Sequence, residues 1–194
     1  MRLACSILLF ILAYALTSCS SGQSAGSPLA GYEHLDPGLL REIKALGESN
    51  WIVIADESFP LHSQRGIRTL VADKEIPEVV GGVLDAIDST QHLRPIFYQY
   101  RKLETLDNET HPGVVTYREN LEKARRGFRP IVSPYRYLKV LLEEDAKAYT
   151  VLVIKTKTTF PYSTVFIHLD SGYWFQRSEE KLRSKMSSQG ITTT

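Results

Sequence analysis

Cysteine is nearly missing from this chain: its 194 residues hold two, Cys5 and Cys19, and none follows Cys19. The domain beyond that point can form no internal disulfide and offers no cysteine nucleophile or thiolate metal ligand. Long apolar runs are missing too; none reaches the roughly 20 residues that a comfortable membrane span requires. A surplus of one charge is absent, with 23 basic residues against 22 acidic ones. A nucleic-acid binder would normally carry a basic excess on one face, so none is expected here. Familiar catalytic signatures are lacking as well. There is no Gly-rich phosphate loop, no His-Glu-x-x-His and no nucleophile elbow around a serine. The five histidines (His34, His62, His92, His111, His168) are scattered, so neither a metal nor a cofactor is expected.

What is present begins at the N-terminus. Met1-Arg2-Leu3 gives one positive charge, and Ala4 to Leu16 is almost wholly apolar. This is the n-region and h-region of a secretory signal. It closes on Leu16-Thr17-Ser18-Cys19, which resembles the bacterial lipobox, where small residues precede a cysteine that takes a diacylglycerol. An ordinary cleaved signal and an uncleaved anchor are the alternatives. The reading adopted is a signal over residues 1–18, lipidation at Cys19 and a flexible polar tether over residues 19–34. Removing the signal removes Arg2 and no acid, leaving 22 basic against 22 acidic residues. A polybasic membrane patch is therefore not expected, and attachment should come from lipid. That places the protein at the cell envelope, anchored on a periplasmic or extracellular face. Ser20 after Cys19 would permit outer-membrane sorting in a Gram-negative cell.

Residues 35–173 read as one domain, long enough to bury a core without staples. Asp36-Pro37 followed by Leu39, Leu40, Ile43 and Leu46 predicts a capped amphipathic helix ending near Gly47. Trp51 to Ala55 is a short continuous apolar run, the pattern of a strand buried on both faces. Further strands are expected over 67–72, 95–100, 149–155 and 163–169, and helices over 76–87, 117–126 and 135–148. This alternation predicts a three-layer α/β/α domain around a central, mainly buried sheet. Residues 174–194 lack sustained apolar periodicity and read as a mobile tail, frayed or forming a loose surface helix around Glu179 to Met186. Asn108-Glu109-Thr110 matches a glycosylation sequon and marks a loop.

The most informative stretch runs from Leu46 to Ser63. A helix ends, a loop crosses to a buried strand, and Asp56 stands where that strand stops. Ligands of open α/β sheets gather beyond the carboxyl ends of strands. A carboxylate there can bind hydroxyls or move protons; equally, it can cap the turn before Phe59-Pro60.

These residues resemble the D-ribose pyranase/L-fucose mutarotase (RbsD/FucU) family, whose helix P-x-L-L-x-x-L-x-x-L-G-H-G-D runs into a strand and then A-D-x-x-F-P. Pro37 to Gly47 matches the helix, Ile52 to Asp56 the strand, and Phe59-Pro60-Leu61-His62-Ser63 the fucose-type continuation. Leu70 to Asp73, Ile76 to Ile87, Ala146 to Tyr149 and Tyr162-Ser163-Thr164 follow in the family's order, over about residues 35–172. The resemblance implies an RbsD-like fold, a monosaccharide ligand, and a ring-shaped homo-oligomer, often a decamer, with sites near subunit boundaries. It also implies interconversion of sugar anomers by general acid–base catalysis, one group protonating the ring oxygen while another takes the anomeric hydroxyl proton.

Carried over by position, the family's sugar-binding Asp falls on Asp56 and its Tyr on Tyr162. Its Arg falls on Arg136, with helix spacing that differs by about two residues. The family's Gly-Asn becomes Ser163-Thr164, which keeps one hydrogen-bonding side chain, Thr164. Its catalytic His falls on Glu48, because His-Gly-Asp has become Glu48-Ser49-Asn50. An exposed glutamate is ionised at neutral pH, a base rather than an acid, and only burial or a neighbouring carboxylate would raise it enough to donate a proton. His62, two residues past the Phe-Pro, is the other candidate acid, with a structural histidine as the alternative. Three functions follow: a mutarotase or pyranase using Glu48 or His62, a carbohydrate binder without turnover, or a ring-forming scaffold.

Overall fold

The computed structural model describes residues 35–191; the signal, Cys19 and the tether lie outside the described residues. Helix α1 (Pro37–Ala45) begins where the sequence places it. Asp36 Oδ1 accepts from the amides of Gly38 at 2.7 Å and Leu39 at 3.3 Å, and Pro37 occupies the first turn. This satisfies amides that a helix start otherwise leaves unpaired. The helix stops at Ala45 because Leu46 turns extended, short of the expected Gly47. Strand β1 (Trp51–Ala55) has the expected bounds, and all five of its residues are buried.

The remaining elements are β2 (Ile67–Val71), α2 (Ile76–Asp88), β3 (Leu93–Tyr100), α3 (Arg101–Thr105), α4 (Val114–Ala124), β4 (Ile131–Ser133), α5 (Tyr135–Asp145), β5 (Val151–Lys155), β6 (Val165–Ser171) and α6 (Gln176–Ser188). Two were not anticipated, the five-residue α3 and the three-residue β4. Segments that short carry too few turns or alternations to register as a period. The expected helix over 135–148 ends at Asp145, and the strand expected from Tyr149 begins at Val151.

The six strands form one sheet in the order β2-β5-β1-β6-β3-β4. All neighbouring pairs are parallel except those made by β6, which runs antiparallel to both β1 and β3. Side chains alternate across β1. Ile52 and Ile54 join a core with α1, α2 and α4 that includes Ile43, Val83, Leu84 and Leu121. Trp51, Val53 and Ala55 face the other side, where Leu138 and Leu142 of α5 cover them. The result is the expected three-layer α/β/α architecture.

One end of the sheet is held by polar groups at the start of β1. Trp51 Nε1 donates to Asp145 Oδ2 at 2.7 Å, and the His168 ring lies 4.7 Å from the Trp51 indole. Burial holds the His168 imidazole below the usual histidine range, against the opposing pull of Asp145, Asp170 and Glu48. The sheet's opposite end, where the parallel strands finish, carries Asp56, Tyr100 and the approach to β6.

Candidate functional site

Asp56 follows the last residue of β1, and the chain turns sharply behind it. Its Oδ1 accepts from Ser58 N at 3.1 Å and Ser58 Oγ at 2.6 Å, and the Asp56 carbonyl accepts from Phe59 N. The carboxylate is therefore a turn cap. It is also joined to the far side of the sequence, because Thr164 Oγ1 donates to Asp56 Oδ2 at 2.6 Å. A carboxylate offers about four acceptor positions. Ser58 takes two and Thr164 one, so one position on Oδ2 stays open in a half-buried group. The turn-cap reading of Asp56 is thus seen directly, and the geometry leaves one acceptor position beside it.

Thr164 is fully buried just before β6. Tyr162, two residues earlier, holds a left-handed backbone with φ 60°, a conformation uncommon for a residue with a side chain and found disproportionately at functional sites. Its hydroxyl lies 3.2 Å from Lys102 Nζ, and the same ammonium stands 4.9 Å from its ring centroid. Between them, Ser163 is fully buried and its Oγ has no hydrogen-bond partner among the described residues. Asp56, Tyr162 and Thr164, distant in sequence, are thereby assembled at one end of the sheet.

Tyr100, the last residue of β3, links this cluster to a cavity. Its ring meets Tyr162 edge-on at 6.4 Å, Phe166 at 5.0 Å and Tyr135 at 5.0 Å. Burial, then the Tyr135 and Asp56 charges, push its hydroxyl far above the usual tyrosine range. It stays a neutral donor and acceptor at any physiological pH. The cavity, about 260 Å³, lies beneath the 59–62 loop and against α5. Phe59, Tyr100 and Tyr135 give it aromatic walls, while His62, Lys139 and Glu143 bring polar groups to its rim. Aromatic faces with a few convergent polar groups are the usual make-up of a small-molecule site, and this one is below the roughly 300–1,000 Å³ of drug-sized pockets. It suits a single ring.

Of the expected residues only His62 lines the cavity; Asp56, Tyr162 and Thr164 form the cluster that Tyr100 joins to it, and Arg136 and Glu48 lie elsewhere. Arg136 is exposed on α5 and does not line the cavity; Tyr135, Lys139, Leu142 and Glu143 face it from that helix. The cation at the rim is Lys139. Glu48 is exposed in the turn before β1, near enough to His168 to act on its charge. The residues of β1 rise about 3.3 Å per step, so its two ends stand roughly 13 Å apart. Glu48 and Asp56 occupy opposite ends and cannot grip one small ligand within one chain. Among the described residues no group of three His, Cys, Asp or Glu could hold a metal ion.

Tyr100, Tyr135, Lys139 and Lys102 were missed in the sequence. Tyr100 could have been found by the rule that singled out Asp56, applied to the next parallel strand's carboxyl end. Lys139 lies one turn beyond Tyr135 on the same helix face.

The sequence matches the model of the RbsD / FucU transport protein family over residues 31–172. No curated protein matches it. Among solved structures, the fold is similar to RbsD of Bacillus subtilis complexed with D-ribose, with 17% identity, a TM-score of 0.51, and coverage of 73% of this chain and 95% of that one. It also matches the fucose mutarotase in complex with L-fucose from Streptococcus pneumoniae at 20% identity and a TM-score of 0.49, covering 72% of this chain and 95% of that one. At such identities the likeness is one of fold. The family match spans α1 to β6, including Asp56, Tyr162 and Thr164, and the chain belongs to the RbsD / FucU transport protein family.

Proposed function

We propose that this protein recognises a monosaccharide in the cavity between the 59–62 loop and α5, as a lipid-anchored member of its family. The observation that carries the reading is the joining of Asp56 to Thr164 at 2.6 Å, with Tyr162 two residues from Thr164 and Tyr100 linking them to the cavity. The aromatic walls would cover the apolar face of a sugar ring. Asp56, held in place by the buried Thr164, and Lys139 would meet its hydroxyls, with no covalent step.

Turnover is a second reading, favoured by the presence of His62 in the cavity lining. An imidazole can lend a proton to the ring oxygen near neutral pH, which ring opening requires. Glu48 can serve the same ligand only from another copy of the chain, consistent with sites near subunit boundaries in a ring. Saturation-transfer NMR against a monosaccharide panel, with D-ribose and L-fucose included, tests recognition. Signal transfer to at least one sugar is expected, and none across the panel rejects the proposal. Exchange spectroscopy on the same samples reads turnover. A rate above that of buffer, lost in His62→Gln, would make the protein a mutarotase with His62 as its acid, whereas loss in Glu48→Gln alone would assign the acid to a neighbouring subunit.

The anchor has its own test. Cys19→Ala is expected to abolish incorporation of a fatty-acid analogue, since the one other cysteine, Cys5, lies inside the signal. Label retained on the variant would reject lipidation at Cys19.

A further inference from the structure

Tyr117 belongs to α4, in the layer across the sheet from the cavity, yet its hydroxyl ends at the candidate site. Val114, Tyr117 and Leu121 form the buried row of that helix, at intervals of three and four that place them on one face. The row puts the Tyr117 ring in the core shared with α1 and α2. There it stacks on Phe160, the two centroids 4.7 Å apart. The hydroxyl reaches further and donates to the Ser163 carbonyl at 3.1 Å in a buried contact. Ser163 stands between the two residues on which the sugar reading rests. Tyr162 has the left-handed backbone, and Thr164 donates to Asp56. Tyr162 packs against both cores, so the two layers meet at residues 162–164. Burial, opposed by the Ser163 hydrogen bond and seconded by the Asp56 charge, pushes the Tyr117 hydroxyl far above the usual tyrosine range. It stays a neutral donor at any physiological pH.

We propose that Tyr117 is a positioning residue for the sugar site: its hydroxyl fixes the Ser163 peptide and so holds Thr164 on Asp56. The role rests on the reading of this cluster as a sugar site. Tyr117 does not line the cavity and acts only through residues 162–164. A left-handed backbone at a residue with a side chain persists only where its surroundings over-determine it, and the Tyr117 contact is one such constraint, applied one residue beyond Tyr162. A buried carbonyl also needs a donor. Without the hydroxyl, the Ser163 carbonyl loses a partner, and its peptide can turn until it finds another. That rotation carries Thr164 Oγ1 off Asp56 Oδ2, whose 2.6 Å contact leaves little slack. The Asp56 carboxylate then keeps only its turn contacts with Ser58, and the acceptor position it offers a ligand is no longer aimed.

Tyr117→Phe removes one oxygen and keeps the ring on Phe160. Affinity of the folded protein, read by calorimetric titration with D-ribose and with L-fucose, should fall roughly three- to tenfold, the range of one hydrogen bond. Val83→Ala, at a buried position of α2 in the same core, is the comparison for a purely structural loss. It should lower the melting temperature and leave affinity unchanged; an equal loss of affinity in both variants overturns the proposal. Thr164→Val tests the route. Because Tyr117 acts through Thr164, adding Tyr117→Phe to Thr164→Val should weaken binding less than Tyr117→Phe does alone, and additive losses overturn the proposal. The carboxyl carbon resonance of Asp56 reads the same geometry without any ligand. It should move in Tyr117→Phe and stay in place in Val83→Ala; an Asp56 signal that Tyr117→Phe leaves unmoved overturns the proposal. If the wild type binds neither sugar, the sugar reading loses its support, while the Asp56 resonance still decides whether Tyr117 sets the carboxylate's contact with Thr164.

Discussion

Asp56→Asn is expected to weaken monosaccharide binding by roughly tenfold to a hundredfold. Hydrogen bonds to a charged group contribute about 1.5–3 kcal/mol, and about 1.4 kcal/mol is a factor of ten in affinity. The structure makes this substitution a clean one. Asn keeps the shape, and its amide oxygen can still accept from Ser58 N and Ser58 Oγ, the contacts that close the turn. On the other side the amide nitrogen replaces Oδ2, which accepts from Thr164 Oγ1 and has a position open for a ligand hydroxyl. The Thr164 hydroxyl can rotate to accept instead. What cannot be recovered is the charge and the open acceptor. Stability should fall by about 1 kcal/mol or less, the scale of one neutral hydrogen bond. Calorimetric titration of the sugar that responds in the NMR panel, together with a denaturant melt, separates the two effects. A marked loss of stability with unchanged affinity in the folded fraction would reduce Asp56 to a turn cap.

The largest effect on stability is expected at Gly66. This glycine enters β2, and its carbonyl accepts from Val151 N at 2.8 Å where β5 begins. A Cβ there would stand 1.9 Å from the Ala146 carbonyl oxygen and 2.9 Å from that of Tyr149. Both are backbone atoms just beyond α5, and Ala146 is itself buried in the α5-side core. No rotamer change relieves the clash, so the end of α5 or the start of the β2–β5 ladder must move. Overpacking of this kind costs about 1–3 kcal/mol and occasionally more, and Gly66→Ala should lie at or above the upper end. At roughly 2–4 °C per kcal/mol for a domain of this size, the melting temperature should drop by about 6 °C or more. Gly81→Ala provides the contrast. That glycine lies inside α2, and an added Cβ meets nothing within 4 Å. Relief of the glycine entropy cost should stabilise the helix by about 0.5–1 kcal/mol. Thermal melts of the two variants should therefore move in opposite directions. A neutral Gly66→Ala would mean that the 146–149 segment yields freely.

The substitution at Gly66 bears on the site as well as the core. The cavity is bounded by α5 through Tyr135, Lys139, Leu142 and Glu143 and by the sheet through Ile67, Val151 and Val153. Its width is the spacing between α5 and the β2–β5 edge, which the close approach of Gly66 to Ala146 sets. A variant that pushes them apart should thus lose sugar affinity along with stability, whereas Gly81→Ala, on the opposite face of the sheet, should leave affinity unchanged.

How much was legible in the sequence depended on distance along the chain. Asp36 capping α1, the apolar run of β1 and the amphipathic α2 rest on groups within a few residues of each other, so periodicity and cap chemistry located them to within a residue or two. Asp56 was legible for the same reason, as the residue at which a buried strand stops. The three-layer architecture followed from the alternation of helices with strands, and the two-faced burial of β1 agrees with it, since a strand apolar on both sides needs a cover on each. Tertiary structure alone decided that β6 enters antiparallel between β1 and β3. That insertion brings Thr164 to Asp56 across 108 residues and sets Tyr162 against Tyr100. It also decided that Lys139 rather than Arg136 faces the cavity, because one helical position rotates a side chain by about 100° and only the docking of α5 chooses the face. The separation of Glu48 from Asp56 was likewise hidden, as residues eight apart are near in a helix and far in a strand. Local chemistry determines the elements; which of their ends meet is a matter of long-range packing, whose partners no short window of sequence contains.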